Sequence, residues 1–452
     1  MKRIASLLLL GACGGAPGPG GRDSGSVATG PGPWPVANVT YGSADGIQER
    51  PVVGLTTDES QNRWLATNAA LYLIKPGETR FRRFDAKDGL HLPGNAVQYC
   101  DRDFAGGDRA CPIYGAATAP GIRVIEGGGS GEVFVGYYGR SAGAGDWTDP
   151  DRHSGKIDRV RLKPDGSLQV DRLDLVSSVS AQFWENRRIE RLLYDHARRE
   201  LYAGTNHGID RIVPDKFRYP DRGEWFLDST REWLSDHLHP RVCFHVACTG
   251  DESKDTQMIG DFRGLWLAPD GDLWVAGKWA AGKIRWTERL SLWHSRSGAA
   301  AYAVAFGDPY DPLTGKNPPV FRPPREGDPV DLSAVAVAKD GKVWFASGPQ
   351  STGAKAYGIA SWDGTSFRYF DPIRDAGLSD SNVRDLVALP DGRLAVAGFS
   401  GLVLWDPAAG RHVSVGGLPG GNILALGLDA RVAPATLHVA TEQGAAALRV
   451  LP

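Results

Sequence analysis

One phrase recurs along this chain. It reads LAPDGDLWVAGKWAAGKI at 267–284, VAVAKDGKVWFASG at 335–348 and VALPDGRLAVAGFSGLVLW at 387–405. Each copy has an apolar run, an Asp-Gly turn and a second apolar run, and Asp-Gly between two alternating runs is a strong hairpin signal. Apolar residues recur at every second position, which is the period of a β-strand rather than of a helix. The phrase therefore predicts a hairpin that the chain uses repeatedly.

Aligning these hairpins defines seven positions, here called the anchors, on the second strand of each copy. They are Trp64, Phe134, Tyr202, Trp274, Trp344, Ala395 and His438. A small residue, Ala or Gly, follows just past each anchor. A repeated unit of about 40–50 residues with four strands is the signature of a β-propeller blade. We therefore expect an all-β, seven-bladed β-propeller in which the anchors belong to the core.

The strands of individual units can be located in the sequence. We expect them at 52–58, 62–68, 70–76 and 81–87 in the first unit and at 383–390, 393–399, 401–407 and 411–417 in the sixth. The seventh unit has three strands before the chain stops at Pro452. The stretch NVTYGSADGI (38–47) looks like the end of another unit. We expect this N-terminal strand to close the last blade, which removes both open sheet edges.

The N terminus has the pattern of an export signal: a basic start, the apolar stretch 4–10 and the small-residue site LGAC. The cysteine resembles that of the lipobox of bacterial lipoproteins. This resemblance implies that residues 1–13 are a signal peptide with a lipobox and that Cys13 is acylated; with Gly14 after it, it implies an outer-membrane lipoprotein facing the periplasm or the cell surface. An ordinary signal peptide is the alternative. Residues 14–35 predict a disordered Gly/Pro-rich tether, and 36–452 the propeller.

The propeller region also resembles a known repeat. Asp58 through Asn68 loosely match the pattern D-x-x-G-x-L-W-x-G-T, and Phe81 through Leu90 form an aromatic strand that ends in D-G-L. These features resemble the two-component regulator propeller repeats, and NHL-type and WD40-type propellers are similar. The resemblance implies either the periplasmic sensor of a hybrid kinase or a propeller that stands alone in an exported protein.

Four cysteines remain after Cys13. They form two close pairs, Cys100 with Cys111 and Cys243 with Cys248. An even number of cysteines in an exported chain predicts two local disulfide bonds. Histidines at 237, 239 and 245 flank the second pair, so a metal site is the alternative there, although the spacing matches no common zinc pattern.

Long insertions interrupt the repeat at particular places. They lie between blades at 91–120, 176–188, 228–262 and 297–330, or between second and third strands at 137–155 and 347–357. In a propeller both kinds of connection emerge on the same face. We therefore expect one thickly decorated face, and loops on a rigid scaffold are where binding is usually built.

Candidate ligand-binding residues lie within these connections. They are Trp147, Asp149, Asp151, His153, His207, Lys278 and Trp279. Together with Asp146, the aspartates have a spacing that suits calcium, which prefers oxygen ligands; a solvated polar loop is the alternative. An aromatic residue beside a cation, as at Lys278 and Trp279, suits a sugar or a peptide.

The chain has no local catalytic motif such as G-x-S-x-G or H-E-x-x-H. Its net charge is −2 and no basic face stands out, so nucleic acid is not indicated. We expect a monomeric, non-catalytic binding or scaffold lipoprotein that binds a protein or glycan and contacts the membrane through its lipid anchor only. We expect no cofactor apart from the calcium alternative. Two alternatives stay open: an enzyme with its site at the channel mouth, acting as a lyase or hydrolase on glycans or lactones, and a ligand sensor for a separate membrane kinase.

Overall fold

Paired strands of this chain form seven blades around a central channel. The structure, a computed structural model, describes residues 36–90, 92, 121–137, 156–174, 189–205, 208–215, 235–238, 241–243, 256–258, 260–284, 331–348 and 356–450. Pro35–Pro452 form one compact unit. No helix within these ranges is long and apolar enough to cross a membrane.

The strands are numbered in chain order. They are β1 (Val36–Tyr41), β2 (Val52–Thr57), β3 (Arg63–Thr67), β4 (Leu71–Ile74), β5 (Arg82–Phe84), β6 (Ile122–Gly127), β7 (Glu132–Tyr137), β8 (Lys156–Leu162), β9 (Leu168–Asp174), β10 (Ile189–Asp195), β11 (Glu200–Thr205), β12 (Ile209–Ile212), β13 (Ser235–Leu238), β14 (Arg241–Cys243), β15 (Thr256–Met258), β16 (Gly264–Leu267), β17 (Leu273–Ala276), β18 (Ala281–Ile284), β19 (Leu332–Val337), β20 (Val343–Ser347), β21 (Gly358–Trp362), β22 (Phe367–Phe370), β23 (Val383–Ala388), β24 (Leu394–Gly398), β25 (Gly401–Asp406), β26 (Arg411–Ser414), β27 (Ile423–Asp429), β28 (Ala435–Thr441) and β29 (Ala445–Val450). Two short 3-10 helices span Ser43–Asp45 and Ala86–Asp88.

Six blades are four-stranded antiparallel sheets. From the inner strand outwards they are β2–β5, β6–β9, β10–β13, β19–β22, β23–β26 and, in blade seven, β27, β28, β29 and β1. Blade four contributes β16–β18 among the described residues, and β14 pairs with β15 as a separate hairpin ahead of it. Each inner strand contacts the inner strand of the next blade, and β27 contacts β2. The all-β, seven-bladed β-propeller expected from the repeat is confirmed.

Closure of the ring by the N-terminal strand is also confirmed. β1 pairs antiparallel with β29, from Val36 opposite Val450 to Tyr41 opposite Ala445. The Tyr41 side chain is buried, and its ring contacts the Phe81 ring edge-on at a centroid distance of 5.2 Å. The two ends of the chain therefore share one sheet, and this sheet packs on blade one.

All seven anchors lie on the second strand of their blades and are buried, as predicted. Their exposed fraction runs from 0% at Trp64 to 7% at Trp274. Two residues past each anchor, every blade has Ala or Gly. A Cβ added at Gly204 would lie 2.3 Å from the backbone oxygen of Phe262 in blade four. Small residues are required at this position because the next blade begins against it.

The predicted Asp-Gly turns connect first and second strands. Gly271, Gly341 and Gly392 have φ angles of 86°, 81° and 92°, a region that glycine adopts without steric cost. In blade one Gln61 occupies the equivalent place with a φ of 61°. Its side-chain Nε2 donates to Asp429 Oδ2 of blade seven at 2.9 Å. Arg199, with a φ of 56°, is a second residue other than glycine in a turn of this kind, and Gln61 links two blades through its side chain.

Each inner strand begins with a β-bulge. In six blades the pairing register slips by one residue there, and in blade four the Arg263 N–H bonds to the Ala276 oxygen at the equivalent place. The residue before the bulge is fully buried in all seven blades: Val52, Ile122, Ile189, Phe262, Leu332, Val383 and Ile423. The bulged residues are Val53, Arg123, Glu190, Arg263, Ser333, Arg384 and Leu424. A bulge changes the direction of a side chain, so the bulged residue does not follow the alternation of side chains between the two faces of its strand.

The two faces of the ring carry connections of different length. On the turn face, first and second strands are joined by short turns, none longer than 58–62. On the loop face, where inner strands begin, the chain has long connections such as 85–121 between blades and 138–155 between second and third strands. This asymmetry agrees with the expected placement of most insertions.

One expected insertion is placed wrongly by the sequence reasoning. The stretch 228–262 was expected to join blades three and four, but β13 lies inside it and pairs with β12 as the outer strand of blade three. Residues 213–234 therefore leave and return on the turn face. The sequence of β13, SDHL, lacks the apolar alternation of a strand, and its pairing with β12 is a tertiary effect.

Replacing Tyr41 by Ala is expected to lower the free energy of unfolding by about 3–4 kcal/mol, because a buried aromatic side chain is lost and a cavity remains. Val39, 51% exposed on the same strand, provides the control, and Val39→Ala should stay within about 0.5 kcal/mol. Urea unfolding followed by tryptophan fluorescence measures both variants. Equal effects of the two substitutions would contradict the role of β1 in completing blade seven.

Candidate functional site: the channel mouth

The channel mouth is defined here as the rim of the central channel on the loop face. Four of the bulged residues on this rim are charged: Arg123, Glu190, Arg263 and Arg384. They occupy equivalent positions at the start of the inner strands of blades two, three, four and six. The mouth therefore combines three guanidinium groups with one carboxylate.

Two of these arginines have carboxylate neighbours within the rim. Arg263 donates to Asp261 Oδ2 and to Asp331 Oδ1, both at 3.0 Å, and so ties blade four to the start of blade five. Arg123 Nη2 lies 3.7 Å from Glu190 Oε2 of the neighbouring blade. This second pair is longer and partly exposed, and such pairs contribute about 0–1 kcal/mol.

Arg384 has a different environment. Its guanidinium carbon lies 3.6 Å from the centre of the Phe399 ring, in a cation–π contact. Its Nε is buried and has no acceptor, and no carboxylate lies within 4 Å of it, in the part of the chain that the structure describes. Burial, together with the positive charge of Arg123 from the opposite side of the channel mouth, holds the pKa of Arg384 below its ordinary value. Among the described residues, this arginine is therefore a cation with no carboxylate in contact.

An ion pair crosses the channel beneath the mouth. Arg191 Nη1 of blade three donates to Asp385 Oδ2 of blade six at 3.0 Å, and Arg191 Nη2 donates to the backbone oxygen of Leu426 of blade seven at 3.5 Å. The backbone N–H groups of Leu426 and Leu386 also donate to Asp385, at 2.8 and 2.9 Å. This pair, called the floor below, connects opposite sides of the ring.

Glu126 lies deeper in the channel than the floor. Val124 in blade two occupies the position equivalent to Arg191 in blade three. Glu126 follows Val124 by two residues along the same inner strand, further from the mouth. Burial raises the pKa of Glu126 to about 7, although the Tyr194 N–H at 3.3 Å and the charge of Arg191 favour the carboxylate. A carboxyl group that titrates near neutrality is common among general acids and bases. The floor separates this one from the mouth.

Three turns meet across the channel at the turn face. His196 of blade three lies 3.0 Å from Glu59 Oε1 of blade one and 3.1 Å from Arg431 Nη1 of blade seven. Arg431 also donates to Asp429 Oδ1 at 2.9 Å and to the backbone oxygen of Thr57 at 2.8 Å. Burial would raise the pKa of Asp429, but hydrogen bonds from Arg431 and Thr57 outweigh it and lower the pKa. Among the described residues, these contacts cross the channel at the turn face and the floor crosses it nearer the loop face.

Two of the predicted ligand-binding residues, Lys278 and Trp279, lie together at the loop face. They occupy the corner 277–280 between β17 and β18, and Lys278 Nζ lies 5.1 Å from the centre of the Trp279 ring. The Lys278 N–H donates to the Gly260 oxygen at 2.8 Å, and the Asp331 N–H donates to the Lys278 oxygen at 2.9 Å. The corner is thus fixed beside the Arg263 cluster. A role of the two residues in binding stays a prediction.

The other predicted site residues are not covered by the structure, with one partial exception. Outside the described residues lie Cys13, Cys100, Cys111, Trp147, Asp149, Asp151, His153, His207 and Cys248. Cys243 ends β14, opposite Thr256. Acylation, both disulfide bonds and the calcium alternative therefore stay predictions. Within the described ranges, no group of three His, Cys, Asp or Glu side chains is arranged to hold a metal ion.

The sequence reasoning missed the charged rim and the floor. A local signal for the rim exists: a charged residue directly follows an apolar one at the start of an inner strand, as in Ile122-Arg123 and Val383-Arg384. The floor has no local signal, because its two side chains come from blades three and six and meet only in the closed ring.

The floor is expected to be a strongly coupled pair. A double-mutant cycle of Arg191→Met and Asp385→Asn should give a coupling energy of about 1–3 kcal/mol, because each single change leaves an uncompensated group in the channel. Urea unfolding of the four proteins provides the measurement. Arg374 and Asp375, 3.1 Å apart on the surface, form the control pair, with an expected coupling below about 0.5 kcal/mol. A floor coupling no larger than this would contradict the assignment.

Glu126 is expected to make the protein less stable as the pH rises. Its pKa of about 7 in the folded state lies above the ordinary 4.5, so its contribution to stability is fully present below pH 4.5 and is lost as the pH rises through 7. The stability of Glu126→Gln relative to the unaltered protein should therefore increase by about 1–3 kcal/mol between pH 4.5 and pH 8. Glu78→Gln, on an exposed turn, is the control. A difference for Glu126→Gln that does not change with pH would refute the prediction.

Comparisons with known proteins find only distant structural similarity. No protein-family model matches the chain, and no curated protein does. Among solved structures, the chain is similar to a chain of a mitotic checkpoint complex at 10% identity, with a TM-score of 0.48 and coverage of 92% of this chain and 95% of that chain. It is also similar to YCF48 bound to D1 peptide (12% identity, TM-score 0.46, coverage 92% and 97%) and to Saccharomyces cerevisiae Sqt1 (11%, 0.47, 89% and 84%). The assignment of the fold depends on the strand pairing itself.

Proposed function

We propose that this chain is a non-catalytic binding protein of the bacterial cell envelope that holds its ligand at the channel mouth. The observation that carries this proposal is the closed channel. The Arg191–Asp385 floor and the contacts of His196 at the turn face obstruct the channel from the turn face. A ligand that uses the channel axis therefore approaches from the loop face.

The mouth offers groups suited to recognition. Arg384 stacks on Phe399, and Lys278 lies over Trp279, so that two cations on this face each lie beside an aromatic ring. Neither cation has a carboxylate within 4 Å among the described residues. Long connections also begin and end on this face, and binding residues are most often found on such segments of a rigid scaffold.

The charged groups at the mouth support binding rather than proton transfer. Arginine keeps its proton under physiological conditions, so it supplies charge and hydrogen-bond donors instead of acid–base chemistry. Glu126, the carboxyl group that titrates near neutrality, lies behind the floor. Fixed donors around an open rim are the arrangement of a receptor site.

The envelope location is supported by the N-terminal sequence. Acylation of Cys13 would anchor the chain in the outer membrane, and an acyl anchor with a second chain gives stable attachment. The Gly/Pro-rich tether 14–35 would span on the order of 25 Å if flexible. The ring would then stand off the membrane surface with its mouth free to meet a protein or glycan of the envelope.

A photo-crosslinking experiment in the native bacterium tests both parts. A photoreactive amino acid replaces Ala69, which is exposed at the loop face, or Ser130, which is exposed on a turn of the opposite face. We expect crosslinked species from position 69 and none from position 130. Cys13→Ser should move the chain from the membrane fraction to the soluble fraction, because the acylated residue is lost.

The two readouts are independent. Crosslinks from position 130 but not from position 69 would contradict binding at the mouth. A Cys13→Ser chain that stays in the membrane fraction would contradict the lipid anchor and leave the mouth proposal unchanged.

A further inference from the structure

We infer that the channel mouth binds the carboxylate of an acidic peptide segment, with the Arg384 guanidinium as the main contact and Arg123 facing it. This inference rests on the proposed function and names the chemistry of the ligand. Three observations carry it. The Nε of Arg384 is buried without an acceptor, its guanidinium lies over the Phe399 ring, and buried acceptor oxygens of blade seven lack donors.

Arg384 is poised to receive an anion. Its Nε is buried without an acceptor, and no ion pair involves this side chain within the described ranges. Arg123, from the other side of the rim, disfavours the charge of Arg384. A carboxylate bound at Arg384 would offset this repulsion and accept two parallel N–H bonds, the geometry that guanidinium groups favour.

Phe399 fixes the orientation of this guanidinium. The Arg384 carbon lies 3.6 Å from the ring centre, and a guanidinium stacked at that distance lies over the ring. A side chain held in advance loses less conformational entropy when a ligand binds. Phe399 is itself 39% exposed, so it offers an apolar surface beside the cation. An anion that is flanked by an apolar side chain would use both features.

Acceptors without donors lie at the neighbouring blade. The side-chain oxygens Asn422 Oδ1 and Glu442 Oε2 are buried and have no hydrogen-bond partner. The two residues are held together by their backbones, because the Glu442 N–H donates to the backbone oxygen of Asn422 at 3.2 Å. Both residues lie at the loop face of blade seven, next to the blade that carries Arg384. Their oxygens need N–H or O–H donors, which a peptide backbone provides together with acidic side chains.

The carboxylates around Arg384 do not replace such a ligand. Asp380 and Glu442 act on the charge of Arg384 from beyond contact distance. Asp380 accepts hydrogen bonds from the Asn382 N–H at 2.8 Å and from the Ser400 hydroxyl. The negative charge of Glu442 would compete with an incoming carboxylate, so Glu442→Gln, which loses the charge and keeps an acceptor oxygen, should favour binding.

The test uses the full chain and a fluorescein-labelled peptide of alternating Glu and Leu, with a twin in which Gln replaces Glu. Fluorescence anisotropy gives the dissociation constant at low ionic strength. We expect the acidic peptide to bind at least about tenfold more tightly than the Gln twin, since hydrogen bonds between charged groups are lost in the twin. Thermal unfolding of every variant confirms that it is folded.

Variants of the chain assign the contact. Arg384→Gln should weaken binding at least about tenfold, and Arg384→Lys should weaken it less, because the charge stays while the planar fork is lost. Phe399→Ala should weaken it about two- to fivefold, and Glu442→Gln should strengthen it. Arg198→Gln, which alters a half-exposed arginine on the turn between β10 and β11 at the opposite face, is the control and should leave the constant unchanged.

The outcomes separate this inference from the proposed function. Tight binding by Arg384→Gln, or equal weakening by Arg198→Gln, would overturn the assignment. Displacement of the acidic peptide by polygalacturonate at much lower concentration than by unlabelled peptide would replace the peptide with an acidic glycan and so overturn the inference as stated. If the peptide does not bind while crosslinks from position 69 persist, the mouth is a binding site of different chemistry.

Discussion

The pairing of β1 with β29 is the contact on which the rest of the structure depends. A row of seven sheets has two unpacked faces, whereas a ring has none, because blade seven packs on blade one. The chain achieves this by placing its first and last strands in one sheet. The seven inner strands then surround a channel of fixed width, and only at that width do side chains of blades three and six meet.

The β-bulge at the start of each inner strand is a second constraint. At the start of every inner strand, one buried apolar residue is followed by a bulged residue that is free of the alternation. The bulged position is Arg123 in blade two, Ser333 in blade five and Leu424 in blade seven. Side chains at this position differ in charge and in role. Arg123 is exposed, whereas Ser333 is buried and donates to the Val383 oxygen of blade six at 2.6 Å.

Particular residues show how far sequence reasoning reaches. The anchors, the Asp-Gly turns and the small residues past each anchor were predictable because each follows from a local period or from a backbone angle. β13 was not, since SDHL becomes a strand only by pairing with β12. For the site, the sequence reasoning placed Lys278 beside Trp279 at the loop face, but it passed over Arg384, whose importance lies in what surrounds it.

The sequence by itself determined the number of blades, the strand that closes the ring and the residues of the core, because these depend on periodicity that each segment carries within itself. Only the tertiary structure decided that Arg191 meets Asp385, that Arg431 reaches His196 and Thr57, and that Arg123 reaches Glu190. These partners are far apart in the chain and lie on different blades. Their interaction energies depend on distance across the channel, and that distance exists only once the ring is closed.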